Sequence, residues 1–401
     1  MARGDYTAGM LRAHAGVFPA TLALALFPLL AQQPTPPATS PPTRTTNDAT
    51  APPTVAAAIA TAEFRVGEAE LFGHVQFLAS PELAGRKSGS PEGAITGSYI
   101  AAEFQKLGLQ PAGSDGAFFQ PFERIEAVLR EVDGKQQIEQ RTLACRNVLA
   151  WLPGSDPARA DEYVVIAAHY DHLGRTGDVV FPGADDNASG VAGLLAIAKA
   201  LANGPIQPRR SVLFAAFDAE EQGLVGAETF ARKPSRTLQQ AIAMINLDMI
   251  GRGKLLDRKS MALGKRLIGV PNGPAVGVLG TKQSPELASL VRAVFTAEQL
   301  PLYAPEDFGM LGPVIEKQAE GRSDHAPFER RKIPFLFFST SEHDDYHQPT
   351  DTIATLDRKA LWRTAACIYR TVLAIDARDE RPTFVAKPPA KAAAERDPPG
   401  K

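Results

Sequence analysis

Two adjacent carboxylates, Glu220 and Glu221, follow an apolar run at residues 211–217 and precede Gly223 and Gly226. Neighbouring carboxylates repel, and burying either one without a partner is costly. A cation removes that conflict: one carboxylate becomes its ligand and the other stays free as a general base. Taken alone, such a pair is more commonly a solvated acidic turn after a strand. The arrangement recurs, however. Residues 163–168 are apolar and end in His169-Tyr170-Asp171-His172, and residues 241–247 end in Asp248. Residues 333–338 lead into a segment carrying His343 and His347. Between the first two of these stretches lies Gly183-Ala184-Asp185-Asp186-Asn187-Ala188-Ser189-Gly190.

The elements that must position these residues follow from periodicity. The apolar runs are β-prone, too short for helices and bounded by charged or polar residues, so they predict buried strands. Segments with apolar residues at helical spacing separate them. Residues 68–79 carry Leu71, Val75 and Leu78, and residues 91–107 carry Ile95, Tyr99, Phe104 and Leu107 with Gly108 as C-cap. Val191, Leu194, Leu195, Ala198 and Leu201 mark a third face. Ser284 and Pro285 open a fourth helix and Asp357 caps a closing one. Residues 118–122 and 147–152 predict strands, with an exposed charged hairpin at 131–141 between them. Such alternation predicts an α/β fold: a single three-layer domain with a mostly parallel central sheet flanked by helices. The carboxyl ends of parallel strands form the ligand crevice. His169, Asp186, Glu220, Glu221, Asp248 and His347 are therefore expected to converge.

The expected domain occupies residues 63–378 of the 401. Residues 1–31 carry Arg3 and Arg12, then an apolar run at 17–30 that is short for a membrane span, and read as a secretory signal peptide. Residues 32–62 are a Pro/Thr/Ala-rich linker and 379–401 a disordered tail. A signal peptide implies a periplasmic or secreted protein. With a net charge of -2 there is no basic excess to attract nucleic acid, nor a membrane surface once the signal peptide is gone. The 2 cysteines, Cys145 and Cys367, cannot build a disulfide framework; they read as two buried thiols, with a single bridge between them as the alternative.

Singly, each strand-end residue has a structural explanation; Asp186 or Asp248 could cap a helix or turn. Together they supply imidazole and carboxylate without thiolate, a set that suits zinc, with cobalt or manganese as substitutes. At this point five motifs stand in order: Ala168-His-Tyr-Asp-His-Leu-Gly174, Gly183 to Gly190, Glu220-Glu-Gln-Gly-Leu-Val-Gly226, Asn246-Leu-Asp-Met-Ile-Gly251 and Tyr346-His-Gln-Pro-Thr-Asp-Thr352. With the Gly85-Arg86 loop and Ser323-Asp-His-Ala-Pro-Phe328, they cover nearly all of the folded region. The chain resembles the M28 family of co-catalytic zinc metallopeptidases, most of which are aminopeptidases.

The resemblance implies two zinc ions bridged by Asp186, with His169 and Asp248 completing one site and Glu221 and His347 the other. It implies a bridging hydroxide as nucleophile, Glu220 as general base, and hydrolysis of N-terminal amino acids from a peptide substrate. Asp171 would accept a hydrogen bond from the second ring nitrogen of His169. Tyr346 resembles an oxyanion-stabilising tyrosine, and His325 is expected to line the substrate pocket. His74, His172 and His343 are left without a role. A cis peptide is expected at Asp186–Asn187. Pocket walls are expected from residues 252–278 and 301–322. A glutaminyl cyclase-like enzyme, a carboxypeptidase-like one and a catalytically inactive binding domain are the alternatives. The first lacks the histidine present here as His169, and the last loses ligands that are all filled here.

Overall fold

The structure, a computed structural model, describes residues 62–386 apart from 133–134, 257–269 and 271. The expected signal peptide, the linker up to residue 61, the tail from 387 and the middle of the first pocket wall lie outside the described residues. In chain order, α1 (Glu68–Leu78) and α2 (Pro91–Lys106) precede β1 (Gln110–Pro111) and the long strands β2 (Phe119–Val132) and β3 (Lys135–Leu152). β4 (Tyr163–His169) leads through β5 (Gly174–Thr176), β6 (Val179–Phe181) and a π-helical turn, Ala184–Ser189, into α3 (Gly190–Asn203). There follow β7 (Ser211–Phe217), α4 (Val225–Arg232), β8 (Ala241–Leu247), β9 (Val276–Leu279) and α5 (Pro285–Ala297). β10 (Leu302–Tyr303), α6 (Gly312–Ala319), α7 (Ala326–Glu329), β11 (Phe335–Ser339) and α8 (Arg358–Asp376) complete the described chain.

Among the described residues, 9 strands form one sheet in the order β1-β3-β7-β4-β8-β11-β9-β10, with β2 paired to β3. The four central strands β7, β4, β8 and β11 are mutually parallel. Both flanks turn antiparallel, β3 against β7 and β9 against β11. The sheet is thus mixed, and its parallel part is the part that ends at the candidate site. Every residue of β4, β7 and β8 is buried because helices cover both faces, which is why these strands are continuously apolar rather than alternating. Val164, Ile166 and Phe214 face the layer of α1, α2, α3, α5 and α8. Val165, Leu213 and Phe217 face Phe230 of α4 and Phe328 of α7.

Three local expectations are revised. The two short strands and the charged segment between them form one hairpin, because side-chain alternation lets charged residues sit outward without ending a strand. Arg124 and Cys145 point inward, while Ile125 and Ile138 stand exposed. The Ser284 side chain makes no cap hydrogen bond, whereas Asp357 accepts from the Ala360 N–H at 2.9 Å. Residues 379–386, assigned to the tail, fold back: Arg381 pairs with Glu162, Thr383 donates to Glu286, and Phe384 packs against the Phe230 layer. Cys145 and Cys367 are unpaired and buried. No helix among the described residues is long and apolar enough to cross a membrane.

Two devices hold the loops at the carboxyl edge. The first is Arg86, fully buried in the turn before α2. A guanidinium has five N–H groups, and here each meets a main-chain carbonyl: Tyr170, Leu78, Pro182, Gly183 and Asp186. Burial lowers its pKa, and the surrounding Asp186, Asp351, Asp171 and Glu221 pull it back up. Arg86 thereby ties the segment after β4 to the turn carrying Asp186. The second device is Glu228 on α4, which binds Arg232 on its own helix and Arg330 and Arg331 just past α7. It clips together the helices that follow Glu221 and Ser323.

Arg86→Lys offers three donors for five carbonyls and leaves at least two unpaired; unfolding free energy should fall by about 2 kcal/mol or more in urea titrations, and further for Arg86→Met. An unchanged midpoint for Arg86→Met would show that the clamp carries no stability. For Glu228, burial opposes ionisation, but the hydrogen bonds from Arg331, Arg232 and Arg330 prevail and hold its pKa at about 2. The folded value lies below the unfolded one of about 4.3, so the stabilisation is present above that pH and is lost as pH falls towards 2. Glu228→Gln should lower the urea midpoint at pH 7, with a difference that shrinks steadily below about pH 4.

Candidate metal centre

Each central parallel strand delivers its polar residues to the same edge. His169 is the last residue of β4. Asp186 sits in the π-helical turn before α3, its peptide bond to Asn187 cis, as expected. Glu220 and Glu221 follow β7 in a turn closed by hydrogen bonds from the Gly223 and Leu224 N–H groups to the Glu220 carbonyl. Gly226 has no room for a side chain: a Cβ there would lie 2.1 Å from the Asp218 carbonyl oxygen. Asp248 directly follows β8, and His347, at φ 57°, lies in the loop after β11.

The two oxygens of Asp186 face different imidazoles. Oδ1 lies 3.3 Å from His169 Nε2 and Oδ2 lies 3.2 Å from His347 Nε2. His169 Nε2 is also 3.4 Å from Asp248 Oδ1, and His347 Nε2 is 3.1 Å from Glu221 Oε2. Glu220 stands slightly apart, 4.0 Å from His169 Nε2. Asp248 Oδ1 and His347 Nε2 are buried yet make no hydrogen bond among the described residues. The ligand atoms of His169, Glu220 and Asp248 lie within 4.8 Å of one another, as do those of His172, Asp186 and Glu221. Lone-pair atoms crowded this way, with Asp248 Oδ1 and His347 Nε2 unpaired among the described residues, fit a divalent cation, and the N/O donor set without sulfur fits zinc.

The electrostatics carry the same message. Burial disfavours charge on His169, but Glu220, Asp248 and Asp186 outweigh it and raise its pKa well above the ordinary range. Burial opposes protonation of His347 as well, yet contacts with Asp186 and Glu221 push it up to about 10. Asp186 goes the other way: burial would raise it, and the three imidazoles of His172, His169 and His347 hold it well below normal. Burial raises Glu220 well above the carboxylate range, with Glu221, Asp248 and Asp324 adding to the rise against His169. Protonated imidazoles are one way to balance so many carboxylates; a shared divalent cation is the other.

A further shell orients the group. Ser323 donates to Asp248 Oδ2 at 2.7 Å and accepts from Asn246 at the same distance. Asp351 accepts the backbone N–H groups of Asp185 and Asp186, each at 3.1 Å. Asn187 reaches the Leu247 carbonyl and accepts from Gly190 and Met249, tying the Asp186 turn to the end of β8. Asp171 acts differently from the expectation. His169 Nδ1 faces the backbone carbonyl of Asp171 at 3.2 Å, with the carboxylate 3.8 Å away. The carboxylate instead accepts the Glu220 N–H at 3.0 Å. Tyr346 stacks on His347 with ring centroids 3.9 Å apart. Burial, then Asp186 and Glu221, raise its pKa, so the hydroxyl stays protonated at neutral pH.

His325 is not brought into this group: it is buried with its ring stacked on Phe335 and Phe337. His172, left without a role by its sequence context, is brought in, fully buried with Nδ1 2.7 Å from Glu221. Arg86 and Asp351 are likewise placed by tertiary contacts alone, although their motifs were visible in the chain. His343 Nε2 lies 3.2 Å from Asp185 Oδ2, behind the cluster.

Comparison with known proteins agrees with this geometry. The family model for peptidase family M28 matches residues 147–372, which contain every residue of the cluster. A probable zinc metalloprotease of Pyrenophora teres f. teres (strain 0-1) is 40% identical over 115 residues, 27% of this chain and 23% of that protein. Leucine aminopeptidase 2 of Trichophyton rubrum is 27% identical over 245 residues, 56% of this chain and 43% of that protein. The chain thus spans less than half the length of these curated relatives. Among solved structures, the aminopeptidase from Aneurinibacillus sp. strain AM-1 shares the fold with a TM-score of 0.57 at 19% identity, covering 81% of this chain and 97% of that one. Matched over more than half its length and carrying the motifs in order, the chain belongs to peptidase family M28.

Proposed function

We propose that this protein is a zinc aminopeptidase that removes N-terminal residues from peptides. The observation that carries the reading is Asp186, whose two oxygens face two separate imidazole–carboxylate sets. His169, Asp186 and Asp248 would hold one zinc ion, and Asp186, Glu221 and His347 a second. Zinc held there would lower the pKa of bound water and polarise the scissile carbonyl. Relatives named as a zinc metalloprotease and a leucine aminopeptidase support metal and reaction class alike.

The chain's own groups supply the proton traffic. Glu220 takes a proton from the attacking water and returns it to the leaving amine. Asp171 fixes where Glu220 stands by holding its backbone N–H. The Tyr346 hydroxyl, protonated at neutral pH and with its pKa pushed further up by burial, donates to the oxyanion that forms at the carbonyl oxygen. Glu220 and Asp248 offer anionic partners to a free α-amine, which would make a free N-terminus a requirement. Export to the periplasm or the medium belongs to the same proposal and rests on the signal-peptide-like residues 1–31.

Purified protein should hydrolyse leucine p-nitroanilide and leave its N-acetylated form intact, lose activity on chelation and regain it with zinc. Glu220→Gln should lower kcat by about 10²–10⁴-fold while zinc remains bound. A metal-loaded protein that cleaves neither substrate would sink leucine-type aminopeptidase activity, and full activity in the Glu220 variant would sink the general-base assignment. Tyr346→Phe should lower kcat by about 10–10³-fold with KM nearly unchanged; a change confined to KM would place the hydroxyl in ground-state binding instead.

A further inference from the structure

We infer that His172 is a positioning residue that splits the Glu221 carboxylate, holding one oxygen so that the other is left for the metal. The inference rests on the reading of Glu221 as a zinc ligand. His172 stands three residues past His169, in the loop leaving β4, and is fully buried. Its backbone forms a bridge with Lys87, next to the Arg86 clamp. Its ring lies against Gly183, where a Cβ would come within 2.5 Å of the ring Cδ2. Only a glycine at that point lets the imidazole occupy this position.

The polar contact is specific. His172 Nδ1 lies 2.7 Å from Glu221 Oε1, while Glu221 Oε2 faces His347 Nε2 at 3.1 Å. A carboxylate has only acceptor sites, so the hydrogen resides on Nδ1. The next carboxylate oxygen, Asp186 Oδ2, is 3.8 Å from Nδ1, too far for a hydrogen bond. His172 Nε2 makes no hydrogen bond among the described residues. Among the described residues, the Glu221 contact is therefore the side chain's one polar anchor. With Oε1 engaged, the carboxylate cannot rotate freely or turn both oxygens to one ion. Glu221 is preset with Oε2 towards His347 and Asp186. Outer partners of this kind are typically worth about 10–100-fold in metal affinity.

The test titrates zinc into chelator-stripped protein against a competing chromophoric chelator, for wild type, His172→Leu, His172→Gln and His172→Asn. Asparagine places an amide N–H where Nδ1 stands; glutamine reaches past it, and leucine has no donor. Wild type should bind two equivalents. His172→Leu and His172→Gln should weaken one equivalent by about 10–100-fold and leave the other within about threefold, and His172→Asn should return both to within about threefold of wild type. Should the leucine variant misfold, the asparagine–glutamine contrast decides alone. Equal affinities in all four proteins would overturn the role of His172 and leave the metal reading standing. An asparagine variant as weak as the glutamine one would also overturn it, pointing to packing or direct ligation. If wild type binds no zinc, the metal reading falls and this inference with it.

Discussion

The crowding of buried carboxylates at one edge of the sheet is the constraint on which the rest depends. Asp171, Asp185, Asp186, Asp218, Asp324 and Asp351 are all buried, with Glu220 and Glu221 beside them. Isolated ionised carboxylates in such surroundings are untenable. The structure meets this in several ways at once. Imidazoles hold Asp186 well down, backbone N–H groups serve Asp351, and Arg86 places a full positive charge behind the turn. Asp324, whose oxygens make no hydrogen bond among the described residues, is pushed up to about 7 by burial and by Asp248 against the pull of His169. What remains is a knot of unpaired lone pairs that a divalent cation suits better than any side chain present.

That knot is affordable only because its support is rigid. β4, β7 and β8 are buried on both faces, and their parallel direction brings His169, Glu220 and Asp248 to neighbouring positions on one edge. The loops beyond the strands are irregular, yet each is tied to a neighbour: the Asp186 turn to β8 through Asn187, the Glu220 turn to the loop after β4 through Asp171, and the segment after α7 to α4 through Glu228. A group tied to two elements cannot drift when a substrate exchanges with water. Preorganisation of that sort lets fixed dipoles act on a developing charge without first reorienting.

The comparison of Asp171 with His172 shows how close sequence reasoning comes to the site and where it stops. Both follow His169 by a few residues, yet the sequence offers a role for Asp171 and none for His172. The resemblance assigned Asp171 to the His169 ring, but the chain bends so that the backbone carbonyl faces the ring and the carboxylate turns to the Glu220 N–H. His172 had no partner that spacing could reveal, since Glu221 lies 49 residues further on. The long hairpin of β2 and β3 follows a similar logic. Its charged outer half reads as a separate exposed hairpin, and only cross-strand pairs such as Arg130 with Glu139, 2.6 Å apart, show that it continues the flanking strands.

By itself the sequence determined the layered α/β architecture and the chemical type of the site. Continuous apolar runs of strand length demand burial on both faces, and the polar residues that end them must then gather at one edge of a parallel sheet. The tertiary structure alone decided which nitrogen meets which oxygen, that Arg86 and Asp351 both bind the Asp186 turn, and that His172 belongs to Glu221 while His325 stacks on aromatic rings. The physical reason is the range of the forces involved. Hydrophobic periodicity is written within a dozen residues, whereas a hydrogen bond between groups as far apart as Arg86 and Asp186 depends on how loops close in space and leaves no repeat along the chain.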